Sequence, residues 1–557
     1  MNKNVKRLLA LLVCCLMLFT LFACGKDNTA TNSNSPGVSQ QPTTSGGSQP
    51  SSSGSSDSGS SQPSSDGGSE VVSSGRDTLN VAVTGDMGTL NPAVVTGDYY
   101  QVLMCIFEPL WDVTFDGEII PRLGEGYEVH NSRQWTIHLK EGITFSNGNP
   151  FTAEDFMFSA ELARVSGIAS AGRIQDFDWD NYSIIDDYTI DMRWTTDRSE
   201  NIFREIIAVL PMLDAESFEE ANASIHPIGT GPYVSKEYVV NSHSFLERRD
   251  DYWGNLPSVK YLNFRVLAEP SQRVNALATG EIDIAAISAY DTDYVKGLAG
   301  INVRERLSAR WASVGFNIVP GRLFNDINAR RAVAHAIDRQ AILTAVYAGL
   351  GEIMNGPMTR VCLDYQPQYD NMDDTYSIGY NLDLAKEYAD KASLAGKEIV
   401  LITNGTTEHV RIAEVILNML AQIGITVQIN NYDAASFTDV ARDPTMFDMQ
   451  IMQGFAPTLF YGGGLTNTIR YSPIFTTPGS WSDAETFPEY AVNVFYATSK
   501  EERTEITSSI IKAVTENVLI YAMVDFYAMT AFTDDLPDPY TYSQGSILLH
   551  SHSLTPR

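Results

Sequence analysis

Eight histidines and 68 carboxylates are the side chains here best suited to acid–base or metal chemistry, and their arrangement nominates no catalytic set. His130, His138, His226, His243, His335 and His409 are scattered. Only His550 and His552 are close enough in sequence to share a metal ion, and a pair at the end of the chain reads as a solvated tail. The region able to fold has no Gly-x-Ser-x-Gly elbow, and neither a His-Glu-x-x-His pair nor a phosphate-binding Gly-x4-Gly-Lys-Ser/Thr loop occurs. The acids are too numerous for an acid–base pair to be chosen without geometry. The expectation is no catalytic residue, no cofactor and no metal.

The elements around these side chains alternate strands and helices. Thr78 to Thr84 (TLNVAVT) has period two, as do Trp135, Ile137 and Leu139 in RQWTIHLKEG. Asn147-Gly148 is a turn, followed by a helix with Thr152 as N-cap and Glu154 and Asp155 in its first turn, running to about Arg164. Asp326 caps a long helix carrying Val333, Ala336, Ile337, Leu343, Val346 and Tyr347 at helical spacing, ended by Gly349. KEIVLIT, the amphipathic EHVRIAEVILNMLAQI and ITVQIN form a strand–helix–strand unit. A helix from about Lys500 to Asn517 precedes an apolar, strand-like LIYAMVDFYAMTAF.

The first 76 residues read differently. Lys3, Lys6 and Arg7 precede an apolar run from Leu8 to Ala23, somewhat short for a bilayer span of about 20 residues. Leu21-Phe22-Ala23-Cys24 resembles the lipobox of bacterial lipoproteins, which implies a signal over 1–23, removed before Cys24, whose thiol is then diacylated. Residues 24–76 follow as a tether of Ser, Gly, Gln, Pro, Thr, Asn and Asp that cannot bury a core. At roughly 5–6 Å × √n for such a coil, it holds the body on the order of 40 Å from the membrane. The formal net charge is −30, and loss of the three cations with the signal takes it to about −33. Nucleic acid and anionic lipid surfaces are poor partners for such a body. Cys14 and Cys15 leave with the signal, and Cys105 and Cys362 remain as a disulfide or as two buried thiols.

Four blocks carry a family resemblance when read in order. They are Ile120-Pro121-Arg122-Leu123 followed by WTIHLKEGITFSNGNPFTAEDFMFS; Gly229-Thr230-Gly231-Pro232-Tyr233 with Arg249-Asp250-Asp251-Tyr252-Trp253-Gly254; Ala276 to Asp283 (ALATGEID); and Phe316-Asn317 with Ala329 to Arg339 (ARRAVAHAIDR). Residues 77 to 557 thereby resemble the family 5 extracellular solute-binding proteins of ABC transporters. The resemblance implies an α/β, two-lobed periplasmic-binding-protein-like fold of type II, with an extra subdomain in the first lobe and the ligand cleft between lobes. The expected boundaries are 77–115, 211–312 and 521–557 for lobe I, 116–210 for its inserted subdomain and 313–520 for lobe II. Crossings are expected near Arg310 to Phe316 and near Leu519 to Phe526. The block residues themselves read as scaffold: Gly231-Pro232 sets a turn, and Asp338-Arg339 on a helix could form a local ion pair.

For the ligand, the expected wall is Asp98, Tyr99 and Tyr100 after the first strand, Arg310 and Trp311 at a crossing, and Phe455, Phe460 and Tyr461, aromatic faces suiting peptides, sugars and cations alike. Arg310 could pair a ligand carboxylate. Replacing Trp311 by Ala is expected to weaken solute binding with little loss of stability. Peptide-binding members of the family resemble one another in a Trp, spacer, Asp-Tyr-x-Asp-Pro segment whose first Asp pairs with the peptide ammonium. Here FDMQIMQGFAPTLFYGGGLTN places Ala456-Pro457 at that acid, and no Asp or Glu lies between Asp448 and Asp483. An unpaired buried ammonium costs several kcal/mol, which puts free-N-terminus peptides in doubt and leaves a blocked peptide, a neutral solute, or an acid supplied from elsewhere such as Asp98.

The reading is then a monomeric, lipid-anchored substrate-binding component of an ABC importer, meeting a solute, permease and ATPase subunits on the outer face of a Gram-positive membrane. The competing readings are a surface sensor built on the same body and an extracellular hydrolase.

Overall fold

The computed structural model describes residues 76–86, 88–93, 100–113, 119–166, 174, 176–198, 210–362, 364–370, 378–455, 465 and 472–536. Cys24, with the signal and tether, Asp98, Tyr99, Phe460, Tyr461, His550 and His552 lie outside these residues.

One 11-stranded sheet organises the fold. Its strands run, neighbour to neighbour, Thr426–Asn431, Glu398–Thr403, Met449–Phe455, Ile301–Phe316, Ile520–Thr533, Ile284–Ile287, Thr78–Val83, Tyr261–Val266, His243–Arg248 and Tyr233–Val239, with Gly351–Ile353 pairing beside Ile520–Thr533. At 16 and 14 residues, Ile301–Phe316 and Ile520–Thr533 are more than twice the usual strand length of about 5–6 residues. They are that long because each serves both halves of the sheet. Ile301–Leu307 pairs with Thr533–Tyr527, beside the group containing Thr78–Val83. Trp311–Gly315 pairs with Asp525–Ile520, beside the group containing Glu398–Thr403. Register is lost between Leu307 and Trp311 and again between Ala312 and Ser313.

Separate hydrophobic cores flank this crossing. The Thr78–Val83 side buries Ala82, Val274, Leu277, Ile282 and Val295. The other side buries Val314, Phe316, Val333, Ile342, Leu401, Ile412, Ile416 and Ile510. A third core, on Trp135, Phe145, Phe156 and Trp194, belongs to a four-stranded antiparallel sheet of Gly124–Asn131, Gln134–Leu139, Thr189–Arg193 and Ser183–Asp186.

Local chemistry explains the ends of the elements. Gly148 takes the positive φ of the expected turn, and Asp155 accepts from the amide (2.7 Å) and hydroxyl (3.0 Å) of Thr152 at the start of the helix Ala153–Ser166. Ser499 accepts from the Glu502 amide ahead of the helix Lys500–Glu516. The long helix expected after Asp326 is instead two, Ile327–Ala336 and Arg339–Tyr347. Ile337 is extended, and the Asp338 side chain accepts from the Gln340 and Ala341 amides, so a residue read as a helical ion-pair partner is an N-cap. Arg339 turns away, donating to the Met354 carbonyl with its guanidinium over the Tyr521 ring.

Candidate functional site at the strand crossing

Where the register breaks, Ser308 ties the two strands together. Its hydroxyl donates to the Phe526 carbonyl at 2.9 Å and accepts from the Arg310 amide at 3.2 Å. The next two residues are expected wall residues. Arg310 stands opposite Phe455, and its guanidinium donates to Gln453 Oε1 at 3.4 Å. Trp311 stands between Asp525 on one neighbouring strand and Gly454 on the other. A Cβ on Gly454 would overlap the indole, so the ring of Trp311 lies where only glycine leaves room. Trp311 is 4% exposed and belongs to the core of the 313–519 side. The expectation of little stability loss on its truncation is therefore corrected: removing this indole empties core volume.

Asp525 was not anticipated. It is 3% exposed, and its Oδ2 accepts from the Thr359 hydroxyl while its Oδ1 has no partner among the described residues. Burial holds its pKa well above the ordinary carboxylate range; the Thr359 hydrogen bond opposes the shift and the charge of Glu352 adds to it. Burial thus favours its protonated form, which can donate or accept a hydrogen bond at the level of the crossing. The sequence carried a signal for it: Asp525 is the single charged residue between Glu516 and Asp534. Phe526, next in the strand, stacks on Tyr347 at 4.9 Å between ring centres.

Of the other expected wall residues, Tyr100 opens the helix Tyr100–Ile106 and Phe455 closes its strand. Gln101 lies in a small pocket with Val83, Gly85, Asp86 and Phe264, beyond the carboxyl ends of the parallel strands Thr78–Val83 and Tyr261–Val266, the end at which open α/β sheets receive ligands. A shallow depression of about 440 Å³ lined by Glu237, His243, Phe245, Asn263 and Arg265 sits on the outer part of the same sheet, away from Trp311 and Asp525. Among the described residues no group of three His, Cys, Asp or Glu side chains is arranged to hold a metal.

The four sequence blocks gather as scaffold. Glu108, fully buried, accepts from the Tyr252 hydroxyl at 2.7 Å and the Trp253 indole at 3.1 Å, with the charge of Arg122 nearby. Burial pushes its pKa up to about 7 against those stabilising contacts. Side chains on Gly229 or Gly231 would strike the backbone of Ile106 or Cys105, which explains the glycines. Arg330 donates to the carbonyls of Phe324, Asn325 and Asn517, and Asn317 to those of Pro444 and Phe447. Cys105 and Cys362 are two buried thiols not joined in a disulfide, which resolves that alternative; burial pushes Cys105 up to about 12.

Residues 118–467 match the family model for the middle region of the bacterial extracellular solute-binding proteins, family 5. The chain is 27% identical over 387 residues to a Brucella ovis protein named as an ABC transporter peptide-binding protein, covering 66% of this chain and 70% of that one. NikA from Brucella suis, solved with Fe(III)-EDTA, superposes with a TM-score of 0.77 at 20% identity over 86% of this chain and all of NikA. The oligopeptide-binding protein AppA from Bacillus subtilis, solved with a nonapeptide, superposes with a TM-score of 0.72 at 18% identity, covering 86% of this chain and 99% of AppA. This chain belongs to the family 5 extracellular solute-binding proteins, and its fold is their two-lobed α/β fold with a cleft between the lobes. The family is one of solute-binding proteins of ABC transporters. Among the described residues no helix is long and apolar enough to cross a membrane.

Proposed function

We propose that this protein is the lipid-anchored, extracellular substrate-binding component of an ABC importer, capturing a peptide or other small solute by hinge closure and delivering it to the permease. The observation that carries the reading is the crossing itself. Two long strands supply the passages between the sheet halves; they stay paired with each other, but their register breaks and their outer neighbours change at the level of Ser308, Trp311 and Asp525. Bending there costs few hydrogen bonds, because the ladder is already interrupted. A solute binding both lobes would favour the closed state by its differential affinity.

On this reading lobe I comprises 77–115, 211–312 and 521–557, with 116–210 inserted, and lobe II comprises 313–520. Trp311, Arg310, Tyr100, Phe455, Asp98, Tyr99, Phe460 and Tyr461 form the ligand wall. Cys24 carries the lipid. The names of the relatives favour a peptide, whereas the absence of an acid between Asp448 and Asp483 disfavours one with a free ammonium at the usual place.

Native mass spectrometry of the protein purified gently from its own cells tests the binding reading. A ladder of added masses with amino-acid spacings identifies a peptide binder, and one discrete added mass identifies a single solute. Bare protein that stays bare across panels of peptides, sugars and metal chelates refutes solute capture. The anchor is tested separately: Cys24→Ser should release the protein from membranes into the medium.

A further inference from the structure

The inserted subdomain and the 313–519 side have distinct hydrophobic cores, and among the described residues no backbone hydrogen bond joins them. Side chains do. Arg198, 5% exposed, is ion-paired to Asp176 Oδ2, and its guanidinium lies 5.5 Å from the ring centre of Trp194 in the same subdomain. From 320 residues away, Tyr496 brings its ring to 4.9 Å from that guanidinium and its hydroxyl to 3.3 Å from Asp176 Oδ2. Tyr496 directly follows the short helix Val492–Phe495, beside Val494 and Ala497 of the opposite core.

We propose that Tyr496 is the bolt, and the Arg198–Asp176 pair the keeper, of a latch that holds the binding cleft shut. The inference rests on the hinge-closure reading above and adds to it the contact that closure makes. Three features fit a latch better than permanent packing. The keeper is rigidly mounted: the Asp176 carbonyl accepts from the Thr195 amide at 2.8 Å and hydroxyl at 3.1 Å, and the Arg198 amide donates to the Ser132 carbonyl at 2.7 Å. Bolt and keeper meet through a ring–cation contact and one long hydrogen bond, both of which water can replace. Opening orphans no charge, because Arg198 and Asp176 remain paired to each other, whereas splitting an ion pair between the lobes would leave each ion short of its partner. Among the described residues the chain passes between the sheet halves only along the crossing strands, so this contact is free to break when they bend.

Hydrogen–deuterium exchange read by mass spectrometry on the full chain, with no solute added, tests the latch. Tyr496→Ala should raise exchange threefold or more in segments 308–313 and 523–527 at the crossing, and Tyr496→Phe, which loses only the hydroxyl, by a smaller factor. Segments 134–139 and 398–403, inside the two cores, should stay as in the wild type and so report an intact fold. Faster exchange confined to 491–498, or no change at all, overturns the latch. The double variant Asp176→Cys/Tyr496→Cys, bridged by a short bis-maleimide because the two positions are too far apart for a direct disulfide, separates this failure from failure of the hinge. Bridged, it should slow exchange at 308–313 relative to its unbridged form, with Cys105 and Cys362 buried out of reach. If the bridge forms without slowing the crossing strands, the lobes do not move about them, and both the hinge and the latch fall.

Discussion

Trp311 and Gly454 face each other across adjacent antiparallel strands, and the indole occupies the space a side chain at 454 would need. The bulkiest side chain at the crossing is thus placed by the smallest. Asp525 on Trp311's other side completes a row in which an aromatic ring, a backbone surface and a buried acid share one level of the sheet.

Gly454→Ala should therefore destabilise the protein by about 1–3 kcal/mol, as overpacking does, and Trp311→Ala by about 3–5 kcal/mol through lost burial and a residual cavity. The two effects should not add. With the indole gone, alanine at 454 meets open space, so the double variant should be about as stable as Trp311→Ala alone. Denaturant melts of the four proteins measure this coupling, and simple additivity would mean the ring is not held against Gly454. Solute affinity of the folded Trp311→Ala protein then reports separately on whether the ring also touches ligand.

Asp525→Asn is expected to be mild, because burial favours the neutral form of the native acid and the amide has the same shape. The direction of its pH effect follows from linkage. An acid whose folded pKa lies above its unfolded value gives stability that is complete below the unfolded value and declines as pH rises through the folded one. The wild type should lose this contribution as pH rises from about 4, and Asp525→Asn should not. Parallel melting curves for the two proteins from pH 4 to 9 would show that Asp525 is ionised in the native state.

Much of this fold was legible because period and punctuation agree. Trp135, Ile137 and Leu139 are all within 1% of full burial, the helix Lys500–Glu516 ends one residue before its expected Asn517, and Thr407–Ala421 ends three residues before Gly424. The site was less legible because it depends on register. No periodicity places Gly454 opposite Trp311, or Tyr496 against Arg198. Asp525 was visible as a lone acid in an apolar strand, the same pattern that Glu108 shows in CIFEPLW, but apolar runs are read for strand length rather than for their exceptions.

The break at Asp338 illustrates local chemistry overriding a good helical pattern, and it can be measured. Asp338→Ala removes the acceptor for the Gln340 and Ala341 amides and should cost about 1–2 kcal/mol. Asp338→Asn or Asp338→Ser should recover most of that, since each can cap; an Ala variant as stable as the wild type would show the cap to be idle.

Glu108 gives the last expectation, and its pH window lies just below neutrality. Its carboxyl is pushed up to about 7, chiefly by burial, from an unfolded value near 4.5. The folded state therefore holds a proton that the unfolded state has released across this interval. Stability should fall as pH rises from about 4.5 to about 7, by on the order of 3 kcal/mol from this group. Glu108→Gln mimics the protonated acid: its carbonyl can accept from the Trp253 indole while its amide donates to the Tyr252 oxygen. It should match the wild type at pH 5 and exceed it at pH 7.5. Glu108→Ala should be worse than either at both pH values, because the buried Tyr252 and Trp253 donors lose their acceptor. Thermal melts of the three proteins at these two pH values decide it, and a Gln variant weaker than the wild type at pH 7.5 would mean that Glu108 is held as an anion by Arg122, Tyr252 and Trp253 despite its burial.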